Sequence, residues 1–210
     1  MDVNQNCKSE SIARISHILE SMSSKGIIYA SPKQCLYFES DKHHWIYLLT
    51  NGEVNICRLS DDLVVQTLAA PAIIGITGLF NNNNYYHYIS TNVNSTFVRV
   101  KKTEFSNMID ENNLWKDACL LACEKTQLYF KRDELVYTSK VYGVIKNHLE
   151  VLWSMPEESR KDISIFNFIL SRTSISRSSL NKILKDLYKG GYISLNRGKL
   201  IDLKKLPSKY

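Results

Sequence analysis

Ser176-Arg177-Ser178-Ser179-Leu180-Asn181-Lys182-Ile183-Leu184-Lys185-Asp186-Leu187 is the stretch whose reading decides the fold. Ser176 is placed to cap a helix, because its side-chain oxygen can accept from a free backbone N–H of the first turn. Leu180, Ile183, Leu184 and Leu187 recur at helical spacing and define an apolar face. Arg177, Ser178, Asn181, Lys182 and Lys185 fall on the opposite face. Arginine and lysine match the edge of guanine in a DNA major groove, and asparagine matches adenine. The first turn also offers backbone N–H groups to a phosphate. These side-chain types point to a helix that reads duplex DNA.

The flanking sequence fits. Upstream, Ser164 can cap a helix through Phe166, Phe168, Ile169 and Leu170, and Thr173-Ser174-Ile175 breaks it. Downstream, Gly190-Gly191 ends the quoted helix. Tyr192 to Leu195, Asn196-Arg197-Gly198 and Lys199-Leu200-Ile201 then read as a hairpin with a basic tip. A hairpin directly after such a helix is a wing, and Arg197 and Lys199 are placed to meet backbone phosphates. The ordinary alternative for each basic residue is solvated surface charge.

Charge along the chain supports a polyanionic partner. The chain has 210 residues and a net charge of +6. Residues 158–210 carry a balance of +8, and the remainder carries −2. A basic end on an otherwise near-neutral chain fits a nucleic acid. Cys7, Cys35, Cys57, Cys119 and Cys123 are odd in number and lack a Cys-x-x-Cys pair, which argues against a disulfide framework. No apolar run approaches membrane-span length, and Met1 to Glu10 has no signal core, so a cytoplasmic protein with no membrane partner is expected.

The first half has a different texture. Ser11 to Met22 reads as a short amphipathic helix. From Ile27 to Val100, short β-rich runs alternate with turn signals such as Ser31-Pro32, Asn51-Gly52 and Ala70-Pro71, which predicts a small antiparallel roll. From Leu114 the period changes. Leu114, Leu121, Leu128 and Leu135 recur every seven residues, and Ala118 fills between the first two. This predicts a helix of about six turns whose stripe serves as a dimer seam, in whole or in part. The alternative is a long core helix in a monomer. A further helix is expected over Val141 to Trp153, stopped by Met155-Pro156. The expected organisation is a roll over 1–110, a dimerisation helix over 111–138 and a DNA-binding domain over 139–210.

The quoted helix resembles the recognition helix of the Crp/Fnr superfamily. Trp45 to Val54 is similar to that superfamily's strand–glycine–strand entry. Ile73 to Phe80 resembles its glycine-bearing segment before the effector pocket. Ile175 to Ser178, Lys189 to Ile193, Gly198 to Ile201, Leu206 to Tyr210 and Asn113-Leu114-Trp115 are similar to the IprA-type branch of enteric bacteria, associated with repression of hydrogen peroxide resistance. The resemblance implies an α+β protein: a cyclic-nucleotide-binding-like β-roll, a long dimerisation helix and a C-terminal winged helix-turn-helix. It implies a homodimeric regulator of stress or virulence genes, with duplex DNA and RNA polymerase as partners. It places Arg177, Ser178 and Lys182 at the base-contacting positions. Ser178 replaces the usual acidic residue and Ser174 the usual glycine of the turn, so a different target sequence is expected.

The same resemblance bears on the effector. The ribose-binding glutamate falls at Ile76, and the phosphate-binding Arg-Ser pair falls at Tyr86-His87. No arginine occurs between Arg58 and Arg99. A buried phosphate without a cation is costly, so no cyclic AMP and no cofactor is expected, and any small-molecule effector is unknown. Tyr85, Tyr86 and Tyr88 either fill the space or line it for an apolar ligand. The cysteine cluster of the oxygen-sensing branch is absent, and His43-His44 point opposite ways on a strand. Cys119 and Cys123, four apart on one helix face, are candidate redox residues and need more ligands to hold a metal. No Ser/His/Asp arrangement, phosphate loop or metal spacing appears, so an enzyme is not expected. The alternatives kept open are a Crp-like protein acting through protein contacts and a thiol-based redox sensor.

Overall fold

The computed structural model of the chain describes the backbone of residues 3–22, 25–79, 86–137 and 140–208, and their side chains except 3–8, 131–132 and 134–137. Phe80, the 81–85 run with Tyr85, Lys209 and Tyr210, and the side chains of Cys7, Arg132, Leu135 and Val136, lie outside the described residues. The chain divides into two compact units, Met1–Leu128 and Tyr129–Tyr210.

The first unit opens with helix α1 (Val3–Ser21), longer than its apolar spacing predicts. Nine strands follow among the described residues: β1 (Gly26–Ala30), β2 (Cys35–Tyr37), β3 (Glu39–Ser40), β4 (His43–Asn51), β5 (Glu53–Arg58), β6 (Val64–Ala69), β7 (Ala72–Ile74), β8 (His87–Thr91) and β9 (Ser95–Lys101). One sheet runs β1-β9-β4-β3, with β7 also on β4, and the other runs β2-β8-β5-β6. The described pairings are antiparallel, as the short, turn-separated runs predict. Strand β7 overlaps the glycine-bearing segment, and its three residues are too few for periodicity to mark a strand.

Strand β4 shows why Ile46-Tyr47-Leu48-Leu49 is unbroken in its hydrophobicity. Successive side chains point to opposite faces of a sheet. Ile46 and Leu48 join a core with Ile12, Ile15 and Leu19 of α1, with Val98 and Val100 of β9 beside them. Tyr47 and Leu49 face the interior of the roll, against Val54, Ile56, Ile89 and Phe97. Both faces are covered, so no polar alternation is needed.

Helix α2 (Lys102–Glu111), not anticipated from sequence, contributes Phe105, Met108 and Ile109 to the helix-side core. Helix α3 (Trp115–Tyr137) begins one residue after Leu114. Leu114, Ala118 and Leu121 are buried in that same core. The first positions of the leucine heptad therefore pack on their own chain, and an isolated helix face cannot show which neighbour covers it. Asp117 fastens α3 to α1: its carboxylate accepts from Ser11 Oγ at 2.7 Å and from the Arg14 guanidinium.

The second unit holds α4 (Val141–Ser154), α5 (Glu157–Arg160), α6 (Ile165–Leu170), α7 (Arg177–Lys189) and the hairpin β10 (Ile193–Asn196) and β11 (Lys199–Leu203). Its core joins Ile145, Leu149 and Leu152 of α4, Phe168 and Ile169 of α6, Leu180, Ile183, Leu184 and Leu187 of α7, and Ile193 and Leu200 of the hairpin. Arg160 finishes α4: it stacks on Trp153 at 4.0 Å and donates to the carbonyls of Trp153 and Met155. Such donation satisfies carbonyls that a helix end leaves unpaired. Tyr142 Oη donates to the Pro207 carbonyl at 2.8 Å, pinning the C-terminal segment to α4. No described helix is long and apolar enough to cross a membrane.

Candidate nucleic-acid interface

Helix α7 starts where the sequence places it. Ser176 has extended backbone angles, and its Oγ accepts from the Ser179 N–H at 3.2 Å. The same oxygen lies 3.0 Å from Ser178 Oγ and 2.9 Å from Ser179 Oγ. Arg177, Ser178, Asn181, Lys182 and Lys185 are all exposed, and Leu180, Ile183, Leu184 and Leu187 are all buried. At about 100° per residue, the five polar positions fall within an arc of about 140°. Three cations and two short hydrogen-bonding side chains thus share one solvent face of a helix held rigidly from behind.

The segment before α7 is fixed by side chains rather than by a glycine. Helix α6 is capped by Ser164, and the buried Thr173 donates its hydroxyl to the Ile169 carbonyl at 2.8 Å. Arg172 stacks on Phe168 at 4.1 Å and donates to its carbonyl. Phe166 of α6 lies under the Arg177 guanidinium, 5.5 Å from centroid to carbon. In sequence Phe166 has the spacing of an apolar helix position, and nothing in that spacing signals a platform for an arginine.

The wing is a two-residue hairpin. Asn196 pairs with Lys199, and Arg197 and Gly198 between them have φ of 49° and 78°. Two consecutive positive φ values match the right-handed twist of the strands, and glycine takes the second without strain. The Gly198 carbonyl accepts from the Ile165 N–H at 3.0 Å, tying the wing tip to the start of α6. Arg197 is exposed. Lys199 is engaged: its Nζ lies 2.8 Å from Asp162 Oδ1. The Lys199 ammonium holds the Asp162 carboxyl below its ordinary value, through the hydrogen bond first and charge second. Asp162 sits 37 residues from Lys199, and sequence reading missed it.

Residues 141–208, which contain these helices and the wing, match the family described as winged helix-turn-helix DNA binding. Residues 27–112 match the cyclic nucleotide-binding domain. The chain is 30% identical over 183 residues to the inhibitor of hydrogen peroxide resistance of Escherichia coli K12, covering 87% of each chain. The chain belongs to the IprA family of the Crp/Fnr superfamily. The Salmonella typhimurium LT2 protein of the same name is 31% identical over 177 residues, 84% of each chain. Among solved structures, the c-di-GMP-responsive global regulator CLP of Xanthomonas campestris superposes with a TM-score of 0.73 over 94% of this chain and 100% of its own, at 15% identity. A Crp/Fnr-family regulator from Eubacterium rectale gives 0.65 over 97% and 91%, at 11% identity. The IprA-family chain thus has the fold of a DNA-binding transcription regulator: an α+β protein with a cyclic-nucleotide-binding-like roll and a winged helix-turn-helix.

In the roll of this IprA-family protein the turn after β7 is closely packed. Gly75, at φ 101°, turns the chain after β7 into a short 3₁₀ turn, Ile76–Gly78. A Cβ there would meet Ile46, Phe38 and the Trp45 carbonyl at 3.2–3.3 Å. Ile76 is 4% exposed and sits in the helix-side core. Tyr86 is exposed, and Tyr88 packs against Tyr37 and donates to Asp62 Oδ1 at 2.9 Å. Burial raises the Tyr88 hydroxyl, and the Asp62 bond adds to it. Tyr47 is raised to about 12 by burial, against the pull of Arg99, whose guanidinium stacks on Trp45 at 4.3 Å.

Cys57 is buried, whereas Cys35, Cys119 and Cys123 are exposed free thiols. The two on α3 are close, Sγ to Sγ 4.0 Å. They lie opposite the buried positions: from Leu121, Cys123 is about 200° and Cys119 about 160° round the helix at ~100° per residue. Leu120 is exposed at 41% and Leu128 at 37%. Phe130, seven residues after Cys123, is 70% exposed.

Proposed function

We propose that this chain is a homodimeric, sequence-specific DNA-binding transcription regulator whose α7 enters the major groove. The observation that carries the reading is the exposed face of Arg177, Ser178, Asn181, Lys182 and Lys185 on a helix whose other face is fully buried. Arg177 and Lys182 read guanine edges, Asn181 reads adenine, and the N-terminal turn with Ser176 and Ser178 meets a phosphate. Lys185, Arg197 and Lys199 add phosphate contacts that position the unit without specifying sequence.

Dimerisation presents two such helices about one helical turn of DNA apart. The proposed organisation is an effector roll over 1–110, a dimerisation helix over 111–138 and a DNA-reading domain over 139–210. The burial of Leu114, Ala118 and Leu121 inside their own unit favours a seam on the opposite face of α3, where Cys119, Cys123 and Phe130 are exposed. Leu128, about 20° from Leu121 at ~100° per residue, then falls on the face of α3 away from that seam.

The regulated genes are those of oxidative stress or virulence, by kinship with the inhibitors of hydrogen peroxide resistance. Regulation is independent of cyclic AMP, a reading supported by the buried Ile76 in the ribose-binding position. The protein acts in the cytoplasm, together with RNA polymerase. Selection of bound fragments from a random duplex pool, followed by footprinting, tests the reading. A palindromic footprint is expected, and a protein acting mainly through protein contacts gives none.

A further inference from the structure

Cys119 and Cys123 have no role in duplex reading, yet their geometry is specific. Tetrahedral zinc binds thiolates at about 2.3 Å, which sets neighbouring sulfurs about 3.8 Å apart. The two Sγ atoms stand 4.0 Å apart with no change of helix geometry. A disulfide needs Cβ atoms about 3.5–4.5 Å apart, and residues four apart on a helix hold theirs about 5–6 Å apart, so this pair closes one only if the helix distorts. The pair is therefore set as one edge of a thiolate tetrahedron.

Two thiols are half a coordination shell, and the described residues of one chain hold no group of three or more metal-ligating side chains. The other half has a source. The pair lies at the centre of the α3 face directed away from the chain's own core, the face on which a second copy is expected. A two-fold axis through that face brings Cys119 and Cys123 of one copy against the same pair of the other. We propose that Cys119 and Cys123 form half of a site for a soft divalent cation such as zinc, completed by the same pair from a second copy across the dimer seam. The inference rests on the dimer reading above.

Each thiol gives up its proton to solvent as the cation binds, and no electrons move. Two adjacent thiolates repel, and a cation between them removes that cost. Soft thiolate donors select zinc-like ions over magnesium or calcium. Occupancy would lock the two α3 helices in one register.

The test uses full-length protein, reduced and metal-free, titrated with cadmium as a thiolate probe and with cobalt as a reporter of tetrahedral geometry. The association state and duplex binding are measured on the same preparation. Expected is a thiolate-to-cadmium absorption that saturates at one cation per two chains. It should come with an intense tetrahedral cobalt spectrum, both lost in Cys119→Ser and in Cys123→Ser. Saturation at one cation per chain, or a band that survives in the double variant through Cys35, overturns the shared site. A dimer that binds duplex but gives no band overturns the site and leaves the regulator reading standing. If that metal-free dimer changes duplex affinity on peroxide treatment, redox sensing replaces the metal site. A monomer that binds neither metal nor duplex overturns both readings.

Discussion

The Arg177 guanidinium lies 5.5 Å from the centroid of the Phe166 ring, so the first residue of the reading helix rests on the helix before it. An arginine so held loses less freedom when it meets a base than a free one does. Arg177→Ala should weaken binding to the preferred duplex by about 1–3 kcal/mol, or roughly 5- to 150-fold. Random duplex should change far less. Competition binding with both duplexes checks this.

Lys199 and Asp162 are paired beside the wing tip, and a phosphate would compete for the same ammonium. Asp162→Asn should therefore raise affinity for all duplexes alike, by removing a carboxylate from a surface that meets phosphates. Lys199→Ala should lower it alike and reduce the salt slope by about one. Titration of anisotropy over a salt series distinguishes the two. A change confined to one sequence would contradict a phosphate role.

Ser176 caps α7 through the Ser179 N–H. Ser176→Ala should cost about 1 kcal/mol of stability. Urea unfolding near neutral pH measures it. Ser176→Asp should restore most of the loss, because aspartate caps as well and suits the helix N-terminus.

Asp117 links α1 to α3, and the Arg14 hydrogen bond holds its carboxyl below the ordinary 3.8. A depressed folded-state value stabilises the fold above the unfolded-state pKa. The contribution is lost as pH falls from 3.8 through the folded value. Asp117→Asn should lose about 1–3 kcal/mol at neutral pH. Below pH 3.8 the gap between the variant and the native chain should narrow. Urea midpoints across that range test the sign.

The reading head was legible because its chemistry is local. Caps at Ser164 and Ser176, the leucines of α7 and the Asn196–Lys199 hairpin are encoded within a few residues of one another. Strands β1, β4, β5, β6 and β9 were legible for the same reason. What the sequence hid depends on distant partners. The heptad of Leu114 and Leu121 has the right period for a seam, but periodicity names a face and not the neighbour that covers it. The core that covers it includes Ile15 of α1 and Phe105 of α2, and α2 was unseen. Asp162 under Lys199 and Phe166 under Arg177 are tertiary facts of the same kind.

The most direct measurement is the affinity of the purified chain for a duplex selected from a random pool, against the same duplex scrambled, over a range of salt. The selected duplex should bind about 10³-fold or more tightly than the scrambled one, with both affinities falling as salt rises. Equal affinity for the two, or no dependence on salt, would contradict a helix that reads bases from an exposed Arg177, Asn181 and Lys182.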